Sequence, residues 1–312
     1  MKIRTLAFAG LFVVSVAHAT LVAEKFTTDP ALAGWQAFGD TNLFTWDATN
    51  QNLAVTWDSL QPNSYFYHPL GAVLTRADEF LITFDLRMTD ATAVGFFELG
   101  IGLCHFSDAT SPGFARGTGT DSPNLAEFNY FPDSGEGFGS TISSTISDMN
   151  ASLGFYEDLV GLAPGVTYHV LLIHRAGEEF MGGTVFTNGG VYSTLPARLS
   201  FVPLTDFQLD TVTISSYTST NDPYGDSLLA HGTVDNFAVA SPLPLHQLNT
   251  VAAGTIQFAS DTNWLYTLEQ SPDFTHWTPA APASLGNGTN LVLQATNAPA
   301  NQSFYRVRAD LP

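Results

Sequence analysis

Between residues 20 and about 240, short apolar or alternating runs are interrupted every eight to twelve residues by Gly, Pro, Asn or Asp. The clearest run covers residues 79–88, where every second position is apolar: Phe80, Ile82, Phe84, Leu86 and Met88. Because successive side chains of a strand point to opposite faces of its sheet, this spacing predicts a strand with one buried and one mainly polar face. Helical spacing is nearly absent, so the pattern predicts an all-β sandwich or barrel.

A second strand is predicted over residues 94–106. One of its faces is apolar, whereas the other carries Glu98, Gly100, Gly102 and Cys104. The two glycines leave this face bare, which suits either a groove for a flat ligand or the close packing of a neighbouring segment. Further strands are predicted over residues 53–57, 125–131, 167–174, 210–217 and 233–239.

The composition changes after Ala240. Residues 20–240 hold 25 acidic and six basic residues, whereas residues 241–312 hold four acidic and two basic ones. Proline has no backbone N–H and cannot extend a regular sheet or helix, so the Pro-x-Pro at Pro242 and Pro244 indicates a stiff linker over residues 241–249. Strand-like runs at 255–259, 264–270, 290–295 and 303–308 then predict a small β module over residues 250–312.

Residues 1–19 have the order of charge, apolar run and small residues that is typical of a secretory signal peptide. Lys2 and Arg4 precede an apolar run of about 12 residues, which ends at Ala17-His18-Ala19. A membrane-spanning helix needs roughly 20 residues, so we interpret this run as a cleaved signal rather than an anchor. No later stretch is long and apolar enough to span a bilayer. We therefore expect a protein that is secreted or displayed at the cell surface.

The chain of 312 residues is 45% hydrophobic and has a net charge of −19, which becomes −21 without the two basic residues of the signal. Basic residues are scarce and scattered, which argues against a nucleic-acid partner, since binding phosphates requires clustered Lys and Arg. Cys104 is the single cysteine, so no intrachain disulfide can form. No Cys/His cluster has the spacing of a zinc site.

Several segments together form a recognisable set: Glu24-Lys25-Phe26, the strand at residues 80–88, and residues 53–57, 124–132 and 231–239. They resemble concanavalin A-like jelly-roll domains of secreted bacterial proteins, in particular exported proteins of Verrucomicrobia-type bacteria. Residues 266–277 and 304–307 resemble small C-terminal β modules found in the same proteins. The resemblance implies a two-sheet antiparallel jelly-roll sandwich followed by a small β-sandwich-like module, on a fold that in many members binds or cleaves polysaccharides.

A glycan site on such a domain would combine aromatic faces, on which sugars stack, with polar groups. We predict that it is formed by Tyr65, Tyr67, Glu98, Glu127, Asn129 and Tyr130. Core or rim packing of these aromatic residues is the alternative explanation.

Glycosidases on this fold resemble one another in a strand motif Glu-x-Asp-x-x-Glu, because a retaining mechanism needs two carboxyl groups about 5 Å apart. The chain lacks this motif, since neither Glu98 nor Glu127 has a second carboxylate two or four residues later. A pair from neighbouring strands, such as Glu98 with Glu127, stays open. We expect a non-catalytic protein.

Calcium is the expected cofactor, because export places an acidic domain where calcium is plentiful and calcium binds carboxylate, carbonyl and amide oxygens. Glu24 and Asp235 match the position where similar jelly-roll carbohydrate-binding modules hold a structural calcium that joins the first strand to the last. The oxygen-rich loop with Asn221, Asp222 and Asp226 is the alternative site.

These observations favour a secreted glycan-recognition or surface module whose partner is a polysaccharide or surface glycan. A structural cell-surface or matrix protein without glycan binding is the second interpretation. A divergent glycoside hydrolase or polysaccharide lyase is the third, although six scattered basic residues suit acidic substrates poorly. The sequence does not determine the oligomeric state.

Overall fold

The computed structural model describes residues 18–117, 122–135, 137, 139–195, 203–220, 224–242, 248–252, 254–260, 265–287, 289–296 and 304–310. The predicted signal peptide up to residue 17 and residues 243–247 of the predicted linker lie outside these ranges. The first two residues of that linker, Ser241 and Pro242, differ from the prediction because they still belong to the end of a strand. The chain divides into two compact units, a larger one, Thr20–Ser241, and a C-terminal one that begins at Pro242. No helix within the described ranges is long and apolar enough to cross a membrane.

Within its described residues, the larger unit is built almost entirely of strands, with one short α-helix, α1 (Phe106–Ala109), and 3-10 helices at Pro30–Ala33 and Thr41–Leu43. Its strands are β1 (His18–Glu24), β2 (Gln36–Phe38), β3 (Phe44–Asp47), β4 (Asn52–Asp58), β5 (Ser64–Leu74), β6 (Phe80–Val94), β7 (Leu99–Cys104), β8 (Leu125–Phe131), β9 (Thr141–Ser147), β10 (Leu153–Asp158), β11 (Thr167–His174), β12 (Met181–Thr187), β13 (Gly190–Leu195), β14 (Leu209–Ser216) and β15 (Ser227–Pro242).

The described strands of this unit form two large antiparallel sheets. Sheet A has the order β13-β12-β11-β6-β15-β4-β3, with β1 also paired to β15, and sheet B has the order β10-β9-β8-β7-β14-β5-β2. Strands adjacent in space are often distant in sequence, as where β6 lies between β11 and β15, so the chain crosses repeatedly between the sheets. The predicted two-sheet antiparallel jelly-roll sandwich is confirmed.

The core lies between the two sheets and is formed by the apolar face of each alternating strand. Phe84 of sheet A meets Phe128 of sheet B edge to face, with ring centroids 5.8 Å apart. Side chains two residues apart in a strand lie on the same face of the sheet, so the alternating apolar residues of β6 and β7 all point into the space between the two sheets. The expected burial of Phe80, Ile82 and Phe84 is confirmed, and Leu99 and Ile101 on the apolar face of β7 are buried with them.

The predicted strand over residues 94–106 is shorter than expected. It is divided at Gly95, whose φ of +70° is a backbone conformation that residues other than glycine rarely adopt. As a result β6 ends at Val94 and β7 begins only at Leu99, which leaves Glu98 at the entrance to β7.

The C-terminal unit contains β16 (Asn249–Ala252), β17 (Thr255–Ala259), β18 (Leu265–Ser271), β19 (Thr278–Pro279), β20 (Ser284–Leu285), β21 (Asn290–Gln294) and β22 (Phe304–Asp310). Its described strands form one sheet of three strands and one of four. Phe258 and Tyr266 meet edge to face in its core, with ring centroids 5.0 Å apart. Buried Glu269 pairs with Arg306 at 2.7 Å and with Arg308 at 2.8 Å.

Candidate functional site

The outer face of sheet B, which points away from sheet A, is covered at its centre by residues 105–117, here called the cover segment. This segment starts with α1, where Phe106 stacks on Tyr67 with ring centroids 4.2 Å apart. The Tyr65 hydroxyl donates to the Ala109 carbonyl at 2.9 Å. Tyr65 and Tyr67, two of the predicted glycan-binding residues, therefore pack against the cover segment.

Arg116 of the cover segment reaches three polar side chains on this face. Its Nε lies 3.0 Å from Glu98 Oε1 and 3.4 Å from Glu127 Oε2, and its Nη2 donates to Asn129 Oδ1 at 3.3 Å. The Tyr217 hydroxyl donates to the other Glu127 oxygen. Burial opposes the positive charge of Arg116, but the two carboxyl groups outweigh it and raise its pKa. Sequence reasoning predicted the two glutamates and Asn129 but gave no sign of Arg116, because its loop has no periodic pattern.

Glu98 is the exceptional member of this cluster, with only 1% of its surface exposed. Neither of its carboxyl oxygens has a hydrogen-bond partner of good geometry among the described residues. Burial raises its pKa from 4.5 to about 8, although Arg116 and the Gly117 backbone N–H act in the opposite direction. Glu98 is therefore mainly protonated at neutral pH and carries one donor and one acceptor oxygen, of which Oε1 lies against Arg116 Nε.

Glu98 lines a cavity of about 170 Å³ on the outer face of sheet B. Three phenylalanines form its apolar wall, and Phe96 and Phe131 stack with ring centroids 4.3 Å apart. The remaining wall is mainly hydroxyl and charged groups, so that the full lining is Phe96, Glu98, Arg116, Phe131, Ser143, Thr145, Leu153, Phe155 and Glu157.

Strand register explains how these residues meet. Glu157 of β10 lies opposite Ser143 of β9, and Ser143 lies opposite Asn129 of β8. In the next row Phe155 lies opposite Thr145, which lies opposite Glu127. All residues of one row lie on the same face of sheet B, because residues directly opposite each other in paired strands point to the same side of the sheet. Glu157 is exposed and Phe155 is half-exposed, so the cavity meets solvent along the edge strand β10.

The remaining predicted glycan residue, Tyr130, lies on the other side of sheet B. It follows Asn129 in β8 and therefore points into the core between the sheets, where its hydroxyl accepts from the Leu162 amide at 3.4 Å. The structure thus brings Glu98 into the cavity, places Glu127 and Asn129 directly beneath Arg116, and separates the three tyrosines from it.

The bare glycine face is closely packed rather than open. A Cβ at Gly100 would lie 2.8 Å from Glu127 Oε1, and a Cβ at Gly102 would lie 2.1 Å from the Ala126 carbonyl oxygen. Both glycines are buried. Of the two interpretations of these glycines, close packing of a neighbour is the one that the structure supports.

Glu98 and Glu127 are brought together, as a pair on neighbouring strands allows, but Arg116 lies between them. Both carboxyl groups contact the same Nε atom, at 3.0 and 3.4 Å. A retaining or inverting glycosidase needs the sugar or a water molecule in the position between its two carboxyl groups. The guanidinium fills that position, so this pair does not have the arrangement of a glycosidase centre.

The predicted calcium ligands lie on the side of the unit formed by sheet A. Burial raises the pKa of Asp235, and the nearby carboxylates of Asp85 and Glu24 raise it further, against a hydrogen bond from the Asn236 amide. Glu24 Oε1 already accepts from the Phe26 amide at 2.6 Å. Within the described ranges, no group of three or more His, Cys, Asp or Glu side chains could hold a metal ion.

The alternative calcium loop is only partly described. Asn221 and Asp222 lie outside the described residues, and the Asp226 carboxylate lies against Gly95. Calcium at either position therefore stays a prediction.

No protein-family model and no curated protein sequence matches the chain. Among solved structures, an isoform of the Lotus tetragonolobus seed lectin is similar over 72% of this chain and 100% of its own, with 11% identity and a TM-score of 0.48. Peanut lectin is similar over 72% of this chain and 99% of its own, with 12% identity and a TM-score of 0.42. An endo-beta-1,4-glucuronan lyase from the fungus Trichoderma reesei covers 66% of this chain and 86% of its own, with 13% identity and a TM-score of 0.39.

Proposed function

We propose that the protein is an exported carbohydrate-binding protein and that its sugar binds in the cavity beside Glu98. The observation that carries this proposal is a carboxyl group that is almost fully buried, lacks well-formed hydrogen bonds and belongs to a residue lining a cavity with an aromatic wall. Buried polar groups without partners are rare in folded proteins and are costly, so each one needs an explanation. A ligand rich in hydroxyl groups would provide the missing hydrogen bonds.

The lining has the mixture of groups that a sugar requires. Phe96 and Phe155 present half-exposed aromatic surface to the apolar face of a sugar ring, while Ser143 and Thr145 supply hydroxyl groups. Protonated Glu98 can donate to one sugar hydroxyl and accept from another. The signal-like residues 1–19 support export, which would bring the protein to extracellular glycans.

Binding rather than cleavage is the activity that this arrangement favours. Glu127 is held by Arg116, Asn129 and Tyr217 and is fully buried, so it cannot contact a glycosidic bond. Structural roles without a ligand would leave the Glu98 carboxyl unexplained. The proposal is thus recognition of a glycan, with no chemical step.

Isothermal titration calorimetry of the full chain against neutral mono- and oligosaccharides tests the proposal. Phe155→Ala should weaken binding at least tenfold, because it removes the aromatic wall at the cavity mouth. The matched control is Phe186→Ala, since Phe186 is also half-buried but lies on sheet A opposite His169. Equal affinities of the two variants, or no binding by any sugar, would refute the site, and release of reducing sugar would show hydrolysis instead.

A further inference from the structure

The cover segment closes the outer face of sheet B over its central strands. At the far end from the cavity, Asn63 Nδ2 donates to the Phe114 carbonyl at 3.0 Å, and Phe106 stacks on Tyr67 of β5. Between them, the Phe114 ring lies 6.4 Å from the ring of Tyr217. A glycan chain lying across the sheet would have to pass through this packed segment.

The end of the cover segment is attached to the strand that carries Glu98. The Glu98 amide donates to the Gly117 carbonyl at 2.6 Å, and a Cβ at Gly117 would lie 2.4 Å from the Phe97 ring. Gly117 also has a φ of +120°, a backbone conformation that residues other than glycine rarely adopt. The cover segment therefore forms a closed wall on the side of the cavity that faces the centre of the sheet.

The cavity itself is small. Its volume of about 170 Å³ lies below the roughly 300–1,000 Å³ of pockets that take drug-sized ligands. Its most exposed lining residue is Glu157 of β10, and Phe155 of the same strand is half-buried, as is Phe96 before β7. A ligand can thus enter from the edge of the sheet, and its leading group ends against Arg116.

We propose that the cavity takes one uncharged sugar residue at the end of a glycan chain, with the rest of the chain leaving past β10. This inference rests on the proposed carbohydrate binding. The cavity is closed by the cover segment on one side, and its volume suits one sugar ring, so it can take the end of a glycan chain. A sugar within the chain would need an opening on both sides of the cavity, because the chain continues from it in two directions.

The charges of the site select against acidic sugars. Arg116 is paired with Glu127 and contacts Glu98, so its charge is balanced within the cluster. Glu157 stands at the mouth and adds negative charge, and the domain around it holds 25 acidic and six basic residues. A uronate or sulfate would bring a further negative charge into this field, which is unfavourable at close range.

Titration calorimetry with a chain-length series tests the inference. The probes are the methyl glycosides of glucose, galactose, mannose, xylose and arabinose, with the corresponding disaccharides and hexasaccharides. For the sugar that binds, the monosaccharide and the hexasaccharide should have dissociation constants within about fivefold of each other. Blocking the terminal residue of the hexasaccharide with a bulky substituent should abolish its binding.

Affinity that rises at least tenfold from the monosaccharide to the hexasaccharide would overturn chain-end recognition while leaving carbohydrate binding intact. No binding by any probe would refute both proposals. Glu157→Lys tests the selection against charged sugars, because replacing the negative charge at the mouth by a positive one should improve binding of the matching uronic acid glycoside at least fivefold. Glu178→Lys, a substitution of an exposed glutamate after β11, should not change it. Equal uronate affinity of wild type and Glu157→Lys would overturn the charge selection.

Discussion

Glu98 Oε1 and Arg116 Nε lie 3.0 Å apart, and each side chain is no more than 2% exposed. Such a pair would normally lower the pKa of the carboxyl group. Here burial is the larger effect, and the neighbouring Glu127 and Glu157 act in the same direction, so the pKa of Glu98 rises to about 8. Arg116 is shared with Glu127 and Asn129, which limits how far it stabilises a charge on Glu98.

Replacing Glu98 by Gln is expected to flatten the pH dependence of stability. Native Glu98 keeps its proton up to about pH 8, whereas the unfolded chain releases it near pH 4.5. Between these values the native state binds more protons, so the stabilisation from Glu98 is complete below pH 4.5 and is lost as the pH rises through 8. At about 1.4 kcal/mol per pKa unit, the loss is on the order of 5 kcal/mol.

Urea unfolding of both proteins across this pH range measures the effect. Exposed Glu178→Gln is the control, and it should follow the wild-type profile. Identical pH profiles for wild type and Glu98→Gln would show that Glu98 titrates normally.

Gly102→Ala is expected to destabilise the larger unit more than Gly100→Ala. The new Cβ at residue 102 meets a backbone oxygen at 2.1 Å, which cannot move without disturbing β8. At residue 100 the Cβ meets side-chain atoms of Glu127 and Tyr217 at 2.8 and 2.9 Å. Overpacking of this kind costs typically about 1–3 kcal/mol. Thermal unfolding measures the order, with Gly189→Ala as the control because its Cβ meets only Thr187 Oγ1 at 3.5 Å; a control as unstable as Gly102→Ala would contradict the packing argument.

Arg116→Met should destabilise the protein strongly. It leaves Glu127 and Asn129 buried without their cationic partner, and removing one member of a buried ion pair costs about 3–5 kcal/mol. Arg87→Met is the matched control, because Arg87 is exposed and its Nε donates to the Gly165 carbonyl at the surface. Its cost should stay below about 1 kcal/mol. Chemical denaturation of both variants measures the difference, and equal losses would show that the Arg116 cluster is not a stabilising network.

Calcium remains testable at Glu24 and Asp235. The repulsion that helps to raise the pKa of Asp235 would be relieved by a cation. Binding to the native state alone stabilises it by about 2.7 kcal/mol at a hundredfold excess over the dissociation constant, which raises the melting temperature by several degrees. Asp235→Asn should reduce this calcium-dependent shift and leave the chelated protein little changed. A melting temperature that ignores chelator would refute calcium binding, and an intact response in Asp235→Asn would move the site to the loop with Asp226.

The sequence by itself determined the elements whose faces differ in polarity. The β8 and β11 boundaries agree with the predicted 125–131 and 167–174. In β11 one buried face imposes a period of two, whereas β8 is buried on both faces and is marked by the polar Glu127 and Asn129 alternating with apolar residues. The strands β9 and β10 were not predicted, since Ser and Thr occupy both faces of β9 and blur the alternation. Those two strands supply Ser143, Thr145 and Glu157 to the cavity.

Only the tertiary structure decided which of the candidate residues act together. Alternation places Tyr130 and Asn129 on opposite faces of β8, but it does not say which face meets sheet A and which meets the cover segment. Arg116 lies in a loop without periodicity, and its position follows from the packing of the cover segment on Asn63, Tyr67 and Tyr217, which are distant from it in sequence. Local pattern fixes the direction of a side chain relative to its own strand, whereas its burial, its partners and its pKa depend on what the rest of the chain packs against it.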